Sequence, residues 1–402
     1  MSVNDRKDDD NRVLISKSIF ERKNNELTPF DDRGETNGLV NGMINGLING
    51  LVRGNAAPYP SDGWFLRGFK LHDAGKYRQA IENYERSLRI FKNNIWLWIM
   101  KGAAHRKLKE YTEALDCYER ALRININEKA AWNNKGNVLQ DLGQYEEALE
   151  CYDKALMLWP GYEIAWNNRG VAYHHLLNSE RALENIERAI ELKPDYSTAW
   201  NNKANILADI KMFEEALECY DEAIKFDTNF PLPWFNKGTT FLEMKLFEDA
   251  LKCFDEAIKL NREYAEAWNN RGIALREMAA YLEEHEALQS LEFSINSYDT
   301  ALSFDRNLYQ AWLNRGVSCA DMGRYDEALR CYERALEIQP TYTTPIYNKA
   351  CAYSLKGDVE AAISMLRDAI LLDEKYVEIA RNDKDFRRIQ ENEMFKSLVG
   401  AI

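Results

Sequence analysis

A large apolar side chain recurs every 34 residues through most of the chain. This place is filled in turn by Trp64, Trp98, Trp132, Trp166, Trp200, Trp234 and Trp268, then by Trp312 after 44 residues and Ile346 after a further 34. Four residues later stands a small residue, as at Gly136, and the second half of a unit pairs Ala148 with Tyr152 at the same spacing. Because positions i, i+4 and i+7 share one face of an α-helix, each unit is predicted to contain two amphipathic helices.

The two helices of a unit are separated by a short break, such as Leu-Gly-Gln at residues 142–144. Small residues at the crossing let paired helices approach closely, and the aromatic rings fill the space beside them. One helix pair cannot bury its apolar stripe alone, so neighbouring pairs must stack into a continuous core. The fold class predicted by this pattern is all-α, an α-solenoid.

The unit from Lys129 to Tyr162 resembles the tetratricopeptide repeat, because it meets nearly all of that signature of Trp, Gly, Tyr, Ala, aromatic and Ala. We expect nine units, at residues 61–94, 95–128, 129–162, 163–196, 197–230, 231–264, 265–308 with an insertion, 309–342 and 343–376. The resemblance implies a right-handed superhelix that binds other proteins. Residues 377–402, which include Phe386 and Phe395, resemble the short module that closes prokaryotic repeats of this kind, and we expect a C-terminal cap there.

Charge and composition narrow the class of partner. The 65 acidic residues outnumber the 52 basic ones, and a net charge of −13 argues against nucleic acid or an anionic membrane as the main partner. No stretch has the roughly 18 to 20 apolar residues of a membrane span, and the charged N-terminus lacks the apolar core of a signal peptide. We therefore expect a cytoplasmic protein.

The cysteines and histidines do not indicate a catalytic or metal site. Five cysteines share one place in their units, namely Cys117, Cys151, Cys219, Cys253 and Cys331, and stacked layers about 8 to 10 Å apart are too distant for a disulfide between them. His174 and His175 are adjacent, so they diverge on a helix and lack a further ligand at helical spacing. No nucleophile elbow or phosphate-binding loop is present, so we expect no cofactor, no metal and no enzyme activity.

Asparagine recurs two residues after the tryptophan place in seven consecutive units, at Asn134, Asn168, Asn202, Asn236, Asn270, Asn314 and Asn348. An amide offers an acceptor and two donors, so it can pair with the N–H and C=O of an extended peptide without reading side chains. The column resembles the asparagine ladder that lines the groove in protein O-GlcNAc transferases. We expect these side chains to face the groove and not the core, and to bind a segment of about 20 residues. In the alternative, they only solvate or cap their own helix pair.

Neighbouring registers would set the specificity of such a groove. The place directly after the tryptophan holds asparagine in the middle of the chain, at Asn133, Asn167, Asn201 and Asn269, and apolar residues toward both ends. Near the end of the first helix an acidic residue recurs at Asp73, Asp141, Asp209, Glu243, Glu277 and Asp321. These carboxylates predict a negative rim that favours a basic or neutral partner, unless they are simply a solvated face.

The unit at residues 265–308 contains ten extra residues around Ala279 to Phe293. This stretch is rich in helix formers and has neither Gly nor Pro, so we expect it to lengthen the helix pair. The result would be a protruding acidic tip, which is either solvated or a partner contact.

The first 60 residues differ in kind. Residues 1–36 carry 9 acidic and 7 basic residues without a period, which predicts disorder. Residues 37–60 begin with the tetrads NGLV, NGMI, NGLI and NGLV, which resemble Asn-Gly repeats familiar from archaeal proteins. These tetrads are interpreted as a tether, as a self-association helix with small residues four apart, or as a membrane-surface contact.

The sequence thus favours a scaffold that binds a protein or peptide partner. The first alternative is a structural protein that self-assembles into a homo-oligomer through the Asn-Gly segment, with the repeats as spacers. The second is a targeting subunit of an enzyme complex, in which another chain supplies catalysis.

Overall fold

The computed structural model describes residues 63–400, in which the regular structure is helical and no strand is found. The twenty α-helices are α1 (Gly63–Asp73), α2 (Tyr77–Ile90), α3 (Ile95–Lys107), α4 (Tyr111–Ile124), α5 (Lys129–Asp141), α6 (Tyr145–Leu158), α7 (Glu163–His175), α8 (Ser179–Leu192), α9 (Ser197–Asp209), α10 (Phe213–Phe226), α11 (Pro231–Glu243), α12 (Phe247–Leu260), α13 (Ala265–Ala279), α14 (Glu284–Phe304), α15 (Tyr309–Asp321), α16 (Tyr325–Ile338), α17 (Thr344–Lys356), α18 (Val359–Leu372), α19 (Lys375–Asn382) and α20 (Glu393–Val399). A 3₁₀ turn at Lys384–Phe386 separates the last two.

Consecutive helices pack as antiparallel pairs, hairpins 1 to 9, from α1–α2 to α17–α18. The chain forms two compact units, with α1–α10 (hairpins 1–5) in one and α11–α20 in the other. Within each unit a hairpin contacts the next one along the chain, which is the stacked arrangement of an α-solenoid. The predicted all-α fold class is confirmed.

The small residue of the first helix sets the distance between the helices of a hairpin. A Cβ placed on Gly136 would lie 2.6 Å from Cε1 of Tyr152, whose ring is fully buried against the glycine. The same fit joins Gly316 to Tyr332 in hairpin 8. The close helix approach expected from the repeat pattern is therefore present.

Six tryptophans tie their hairpin to the loop that precedes it. Trp132 Nε1 donates to the Ile126 carbonyl at 2.8 Å, and Trp200 Nε1 donates to the Pro194 carbonyl at 2.9 Å. This satisfies an indole donor and a loop carbonyl together, and it fixes the orientation of the ring.

The insertion lengthens hairpin 7 as expected. Helix α14 has 21 residues, where the second helix of the other hairpins has 14, and a short turn joins it to α13. Ala287 and Leu291 of the extension are buried with Ala279, and Met322 of hairpin 8 packs against them. Glu283, Glu284 and Glu286 are exposed, as predicted for an acidic tip.

The helices after hairpin 9 cover its apolar face. Phe386, Ile389 and Phe395 are at most 2% exposed and join the core that contains Leu366 of α18. The Tyr347 hydroxyl donates to Asp383 Oδ2 at 2.6 Å, which adds a polar tie between α17 and this segment.

The predictions for residues 1–36 and 37–60, namely disorder, tethering and self-association through the Asn-Gly tetrads, lie outside the described residues. None of the helices in residues 63–400 combines the length and apolar character needed to cross a bilayer.

Candidate functional site

The seven asparagines two residues after the tryptophan place are named the amide column. Three lie on the first helices of hairpins 3 to 5 in one compact unit, and four lie on the first helices of hairpins 6 to 9 in the other. Within each unit the column is tied across successive hairpins. Asn168 Nδ2 donates to Asn133 Oδ1 at 3.1 Å, and Asn202 Nδ2 donates to Asn167 Oδ1 at 3.0 Å. Asn133 and Asn167, each directly after a tryptophan, therefore serve as acceptors for the column asparagine of the next hairpin.

The same bond recurs in the second unit, where Asn314 Nδ2 donates to Asn269 Oδ1 at 2.9 Å across hairpins 7 and 8. Both rows of amides follow from the helical register, since adjacent residues 100° apart reach the preceding and the following layer. The two asparagine registers found in the sequence are thus brought together by the fold.

A third row of polar side chains joins the network in hairpins 3 and 5. Tyr152 donates its hydroxyl to Asn137 Oδ1 at 2.8 Å and to Gln140 Oε1 at 3.2 Å, and Asn137 Oδ1 also accepts from Asn168 Nδ2 at 3.0 Å. Asn205 accepts from the Tyr220 hydroxyl at 2.6 Å. These residues are not among those predicted from the sequence, although Asn137 and Asn205 lie one helical turn after Asn133 and Asn201, a spacing that could have indicated them.

The expectation that the column faces the groove and not the core is wrong for most of its members. Five are at most 5% exposed, namely Asn134, Asn168, Asn202, Asn314 and Asn348, whereas Asn236 and Asn270 are half-buried. The acceptor row is also buried at Asn133, Asn167, Asn201 and Asn269. A buried amide needs hydrogen-bond partners, and the adjacent layer supplies them. The amide column thus couples adjacent hairpins, a role that was not predicted from the sequence.

A model of the tetratricopeptide repeat matches residues 95–127, 130–162, 164–196, 197–230, 231–264 and 309–342, and a second model of this repeat matches 345–376. These matches cover more than half of the chain. The chain belongs to the tetratricopeptide repeat family. A search of curated proteins gave no match.

Three solved structures are similar to this repeat chain. The structure described as MamA is 21% identical, covers 41% of this chain and 96% of its own, and has a TM-score of 0.35. YrrB, described as a TPR protein with an unusual peptide-binding site, is 24% identical over 46% of this chain and 95% of its own, with a TM-score of 0.34. PilF of Pseudomonas aeruginosa is 18% identical over 57% of this chain and 97% of its own, with a TM-score of 0.47.

Apolar residues in the acceptor row interrupt the network of this tetratricopeptide repeat protein. Leu313 stands where Asn348 would find its acceptor, and both Asn348 amide atoms are buried without a hydrogen-bond partner. Phe235 occupies the corresponding place below Asn270, whose Nδ2 turns to Thr239 Oγ1 at 3.4 Å. Asn348 is therefore the column amide with the most unused hydrogen-bonding capacity.

Further unused atoms lie along the column. Asn137 Nδ2 and Gln140 Nε2 are buried donors without a hydrogen-bond partner, and Asn314 Oδ1 is an acceptor without one. An unsatisfied buried polar group costs about 1 to 3 kcal/mol, so such atoms mark places that favour an added donor or acceptor.

The predicted negative rim is paired with arginine at three of its six carboxylates. Arg106 of hairpin 2 forms a two-point ion pair with Asp141, with Nε 2.6 Å from Oδ2 and Nη2 3.0 Å from Oδ1. Arg276 pairs with Asp321 at 2.8 Å and with Glu277 at 2.9 Å. The expectation of a free acidic rim is wrong at these positions, because an arginine one place earlier in the helix register lies against the carboxylates.

The two adjacent histidines point to different partners. His174 Nε2 lies 2.9 Å from Asp209 Oδ2 of hairpin 5, while the His175 ring stacks on Tyr145 of hairpin 3 at 4.7 Å. Burial is the main cause that lowers the pKa of His175 to about 4, so the ring is neutral near pH 7. Each ring thus has a packing or hydrogen-bonding role between layers.

The cysteines are buried and unbridged. Burial raises the pKa of Cys117 to about 12 and the pKa of Cys151 to about 11, as expected for thiols that pack in the core. Cys331 differs, because a hydrogen bond from Cys319 and the Arg315 guanidinium, 3.1 Å from its sulfur, lower its pKa against the opposing effect of burial.

Proposed function

We propose that this chain is a non-catalytic scaffold that binds an extended segment of a protein partner along the amide column of each compact unit. Proteins of the tetratricopeptide repeat family generally mediate protein–protein interactions. The observation that carries the proposal is the set of buried amide atoms that layer-to-layer bonding leaves unused, at Asn137, Gln140, Asn314 and Asn348. These atoms are buried in the chain alone, so a partner main chain would satisfy them once the side chains turn outward toward the groove.

The chemistry of these atoms suits a peptide backbone. Asn348 has a free acceptor and free donors, which match the N–H and the C=O of one peptide group. An extended chain rises about 3.3 Å per residue and helix layers lie about 8 to 10 Å apart, so successive column residues would meet every third peptide group. Such recognition holds main chain, and it depends little on the partner's sequence.

The proposal includes the charge of the partner and the cellular location of this chain. The net charge of −13 favours a basic or neutral protein partner over nucleic acid. The buried, unbridged cysteines support a cytoplasmic location, since disulfides are rare in reducing compartments.

The test combines a stability measurement with a binding measurement. Unstructured 20-residue peptides would first be selected by display on the wild-type chain. One selected peptide would then be titrated against wild type and Asn348→Leu. Because Leu removes an unsatisfied buried amide, we expect unfolding stability to be unchanged or higher, and the affinity to fall about 5- to 30-fold for the loss of one or two hydrogen bonds.

The matched control is Asn382→Leu, the same substitution at an exposed asparagine of α19 outside the column. This control should retain the wild-type affinity. Equal affinity of wild type and Asn348→Leu for every selected peptide would remove the column from the binding site.

A further inference from the structure

Several hairpins place their own cation on the face of their tryptophan. The residue 22 positions after the tryptophan lies over the ring in four cases, namely Arg86 over Trp64 at 4.6 Å, Arg120 over Trp98 at 5.0 Å, Lys154 over Trp132 at 4.4 Å and Arg334 over Trp312 at 5.9 Å. A cation within about 6 Å of an indole ring is attracted by the negative potential of its face. In these four hairpins this place on the second helix therefore holds a positive charge against the indole ring.

Hairpin 5 breaks this pattern, because Glu222 stands 22 residues after Trp200. Trp200 keeps only Lys203, whose Nζ lies 5.9 Å from the ring and 2.7 Å from Glu187. Hairpin 2 shows that these are two separate places, since Trp98 has both Lys101 at 5.7 Å and Arg120 at 5.0 Å. The second cation place over Trp200 is thus left without a cation from its own hairpin.

The residues around Trp200 closely match those around Trp132 in hairpin 3, where Lys154 lies over the indole ring. A surface cavity of about 730 Å³ lies beside Trp200, and its lining is Leu183, Glu187, Trp200, Lys203, Leu207, Met212, Glu215, Glu218, Cys219, Asp221 and Glu222. The residues 68 positions earlier are Leu115, Glu119, Trp132, Lys135, Leu139, Gln144, Glu147, Glu150, Cys151, Asp153 and Lys154. The two sets differ only at Met212 against Gln144 and at Glu222 against Lys154.

The polar contacts around Trp132 and Trp200 are also the same. Lys135 pairs with Glu119 at 3.1 Å as Lys203 pairs with Glu187, and both indoles are fixed by a bond to the preceding loop. Lys154 therefore shows, inside this protein, how a cation lies among these side chains.

The cavity at Trp200 has a negative wall and an apolar floor. Glu215 and Glu218 are exposed, and Glu222 pairs with Lys225 at 2.8 Å. Lys203 is the single basic residue among five acidic residues of the lining. Leu207 and the aromatic face offer apolar contact to the aliphatic part of a long side chain.

We propose that the cavity at Trp200 binds a lysine or arginine side chain from a basic segment of a protein partner, in the place that Lys154 fills over Trp132. The partner supplies the charge that Glu222 removes from this hairpin. This surface lies on α8, α9 and α10 and uses none of the amide atoms assigned above, so it is independent of the amide column.

Hairpin 6 shows why the proposal does not extend to Trp234. Trp234 is also followed after 22 residues by an acid, Glu256, but Lys237 and Lys252 line the cavity there. Those lysines reduce its attraction for an incoming cation.

The test uses a defined probe, a fluorescein-labelled peptide Ala-Leu-Arg-Leu-Ala-Gly with blocked ends, and the same peptide with uncharged citrulline in place of arginine. Anisotropy titration of the full chain should show tighter binding of the arginine peptide, by about tenfold for one cation–aromatic contact with added carboxylates. Glu222→Lys should fill the place internally and reduce binding of the arginine peptide to the citrulline level.

Glu214→Lys is the matched control, because it makes the same charge change at an exposed position of α10 outside the cavity lining. It should keep most of the arginine preference. In the opposite direction, Lys154→Glu should create a second site at Trp132 and raise the stoichiometry of the probe from one to two.

Equal binding of the two peptides, or wild-type binding by Glu222→Lys, would overturn the proposal. Affinity for a peptide selected through the amide column should be unchanged by Glu222→Lys, so failure of either site can be distinguished from failure of the other.

Discussion

At the scale of single residues, one amide can connect three helices. Asn168 donates to Asn133 and to Asn137, and Asn137 accepts from the Tyr152 hydroxyl as well. All four side chains are fully buried. Asn168, which the sequence suggests as a contact for a partner, therefore also joins hairpins 3 and 4 by hydrogen bonds.

Asn168→Ala should lower the free energy of unfolding by about 1 to 3 kcal/mol, because it leaves two buried amide oxygens with fewer donors. Urea denaturation followed by circular dichroism measures this change. Asn127→Ala, at an exposed loop position, is the control and should stay within about 0.5 kcal/mol of wild type. An unchanged free energy of unfolding for Asn168→Ala would show that these bonds between hairpins 3 and 4 contribute nothing to stability.

His72 gives a prediction on pH. Burial is the main cause that lowers the pKa of His72 to about 4, against a partial opposing effect of Asp73. The unfolded chain takes up a proton near pH 6.5 and the folded chain does not, so this group favours folding above pH 6.5 and loses that contribution as the pH falls toward 4. We expect the loss to be on the order of 2 kcal/mol.

His72→Gln should remove this part of the acid sensitivity. The comparison is the difference in unfolding free energy between wild type and variant at pH 7.5 and at pH 4.5, in which the titration of the carboxylates cancels. A difference that does not change between these pH values would contradict the assignment of a neutral, buried His72.

The position of each residue within its repeat could be predicted from the sequence, whereas its burial and its hydrogen-bond partners could be predicted only in part. The asparagine, cysteine and acidic registers all follow from counting along 34-residue units. Burial of Asn168 and the pairing of Asp141 with Arg106 could not be predicted, because both depend on how closely adjacent layers approach. The exchange of Lys154 for Glu222 was visible in the sequence, but its meaning required the position of the lysine over the indole ring.

At the scale of helices and turns, most hairpins reverse direction through one residue with a left-handed backbone. Gly143 has φ +75°, while hairpin 4 has Leu177 at φ 58° in the equivalent place. A left-handed conformation costs a residue with a Cβ about 1 to 2 kcal/mol, and glycine adopts it freely. Leu177 is also 87% exposed, so little packing opposes a change there.

Leu177→Gly should therefore raise the unfolding free energy by about 0.5 to 1 kcal/mol, after the greater freedom of glycine in the unfolded chain is subtracted. Thermal unfolding followed by calorimetry would show an increase in midpoint. The reverse change, Gly143→Leu, should lower it. A lower midpoint for Leu177→Gly would show that the leucine side chain stabilises the turn.

The insertion in hairpin 7 shows which features of a helix pair can be predicted from local sequence and which cannot. The absence of Gly and Pro correctly predicts a longer hairpin 7. The division of the added length, most of it in α14, depends on the contact of the extension with Met322 in hairpin 8, which the local sequence does not contain.

At the scale of the whole chain, the amide columns and the tryptophan bonds act between neighbouring hairpins. Stability in such repeats is approximately a sum of layers and interfaces, so a change at one layer affects mainly its neighbours. The sequence predicts this architecture because nine similar units each leave an apolar face to be covered. It does not predict which amides remain unsatisfied, since that depends on substitutions such as Leu313 in the layer below.

The central claim is that the column binds the main chain of an extended partner, and backbone N-methylation tests it most directly. A peptide selected on the wild-type chain would be titrated by calorimetry beside two sets of analogues, one with single N-methyl groups and one with single alanine substitutions. The account predicts that N-methylation at about every third residue lowers affinity by roughly tenfold, while most alanine substitutions change it less than about threefold. Alanine substitutions that abolish binding, together with N-methyl analogues that bind as well as the parent peptide, would contradict it.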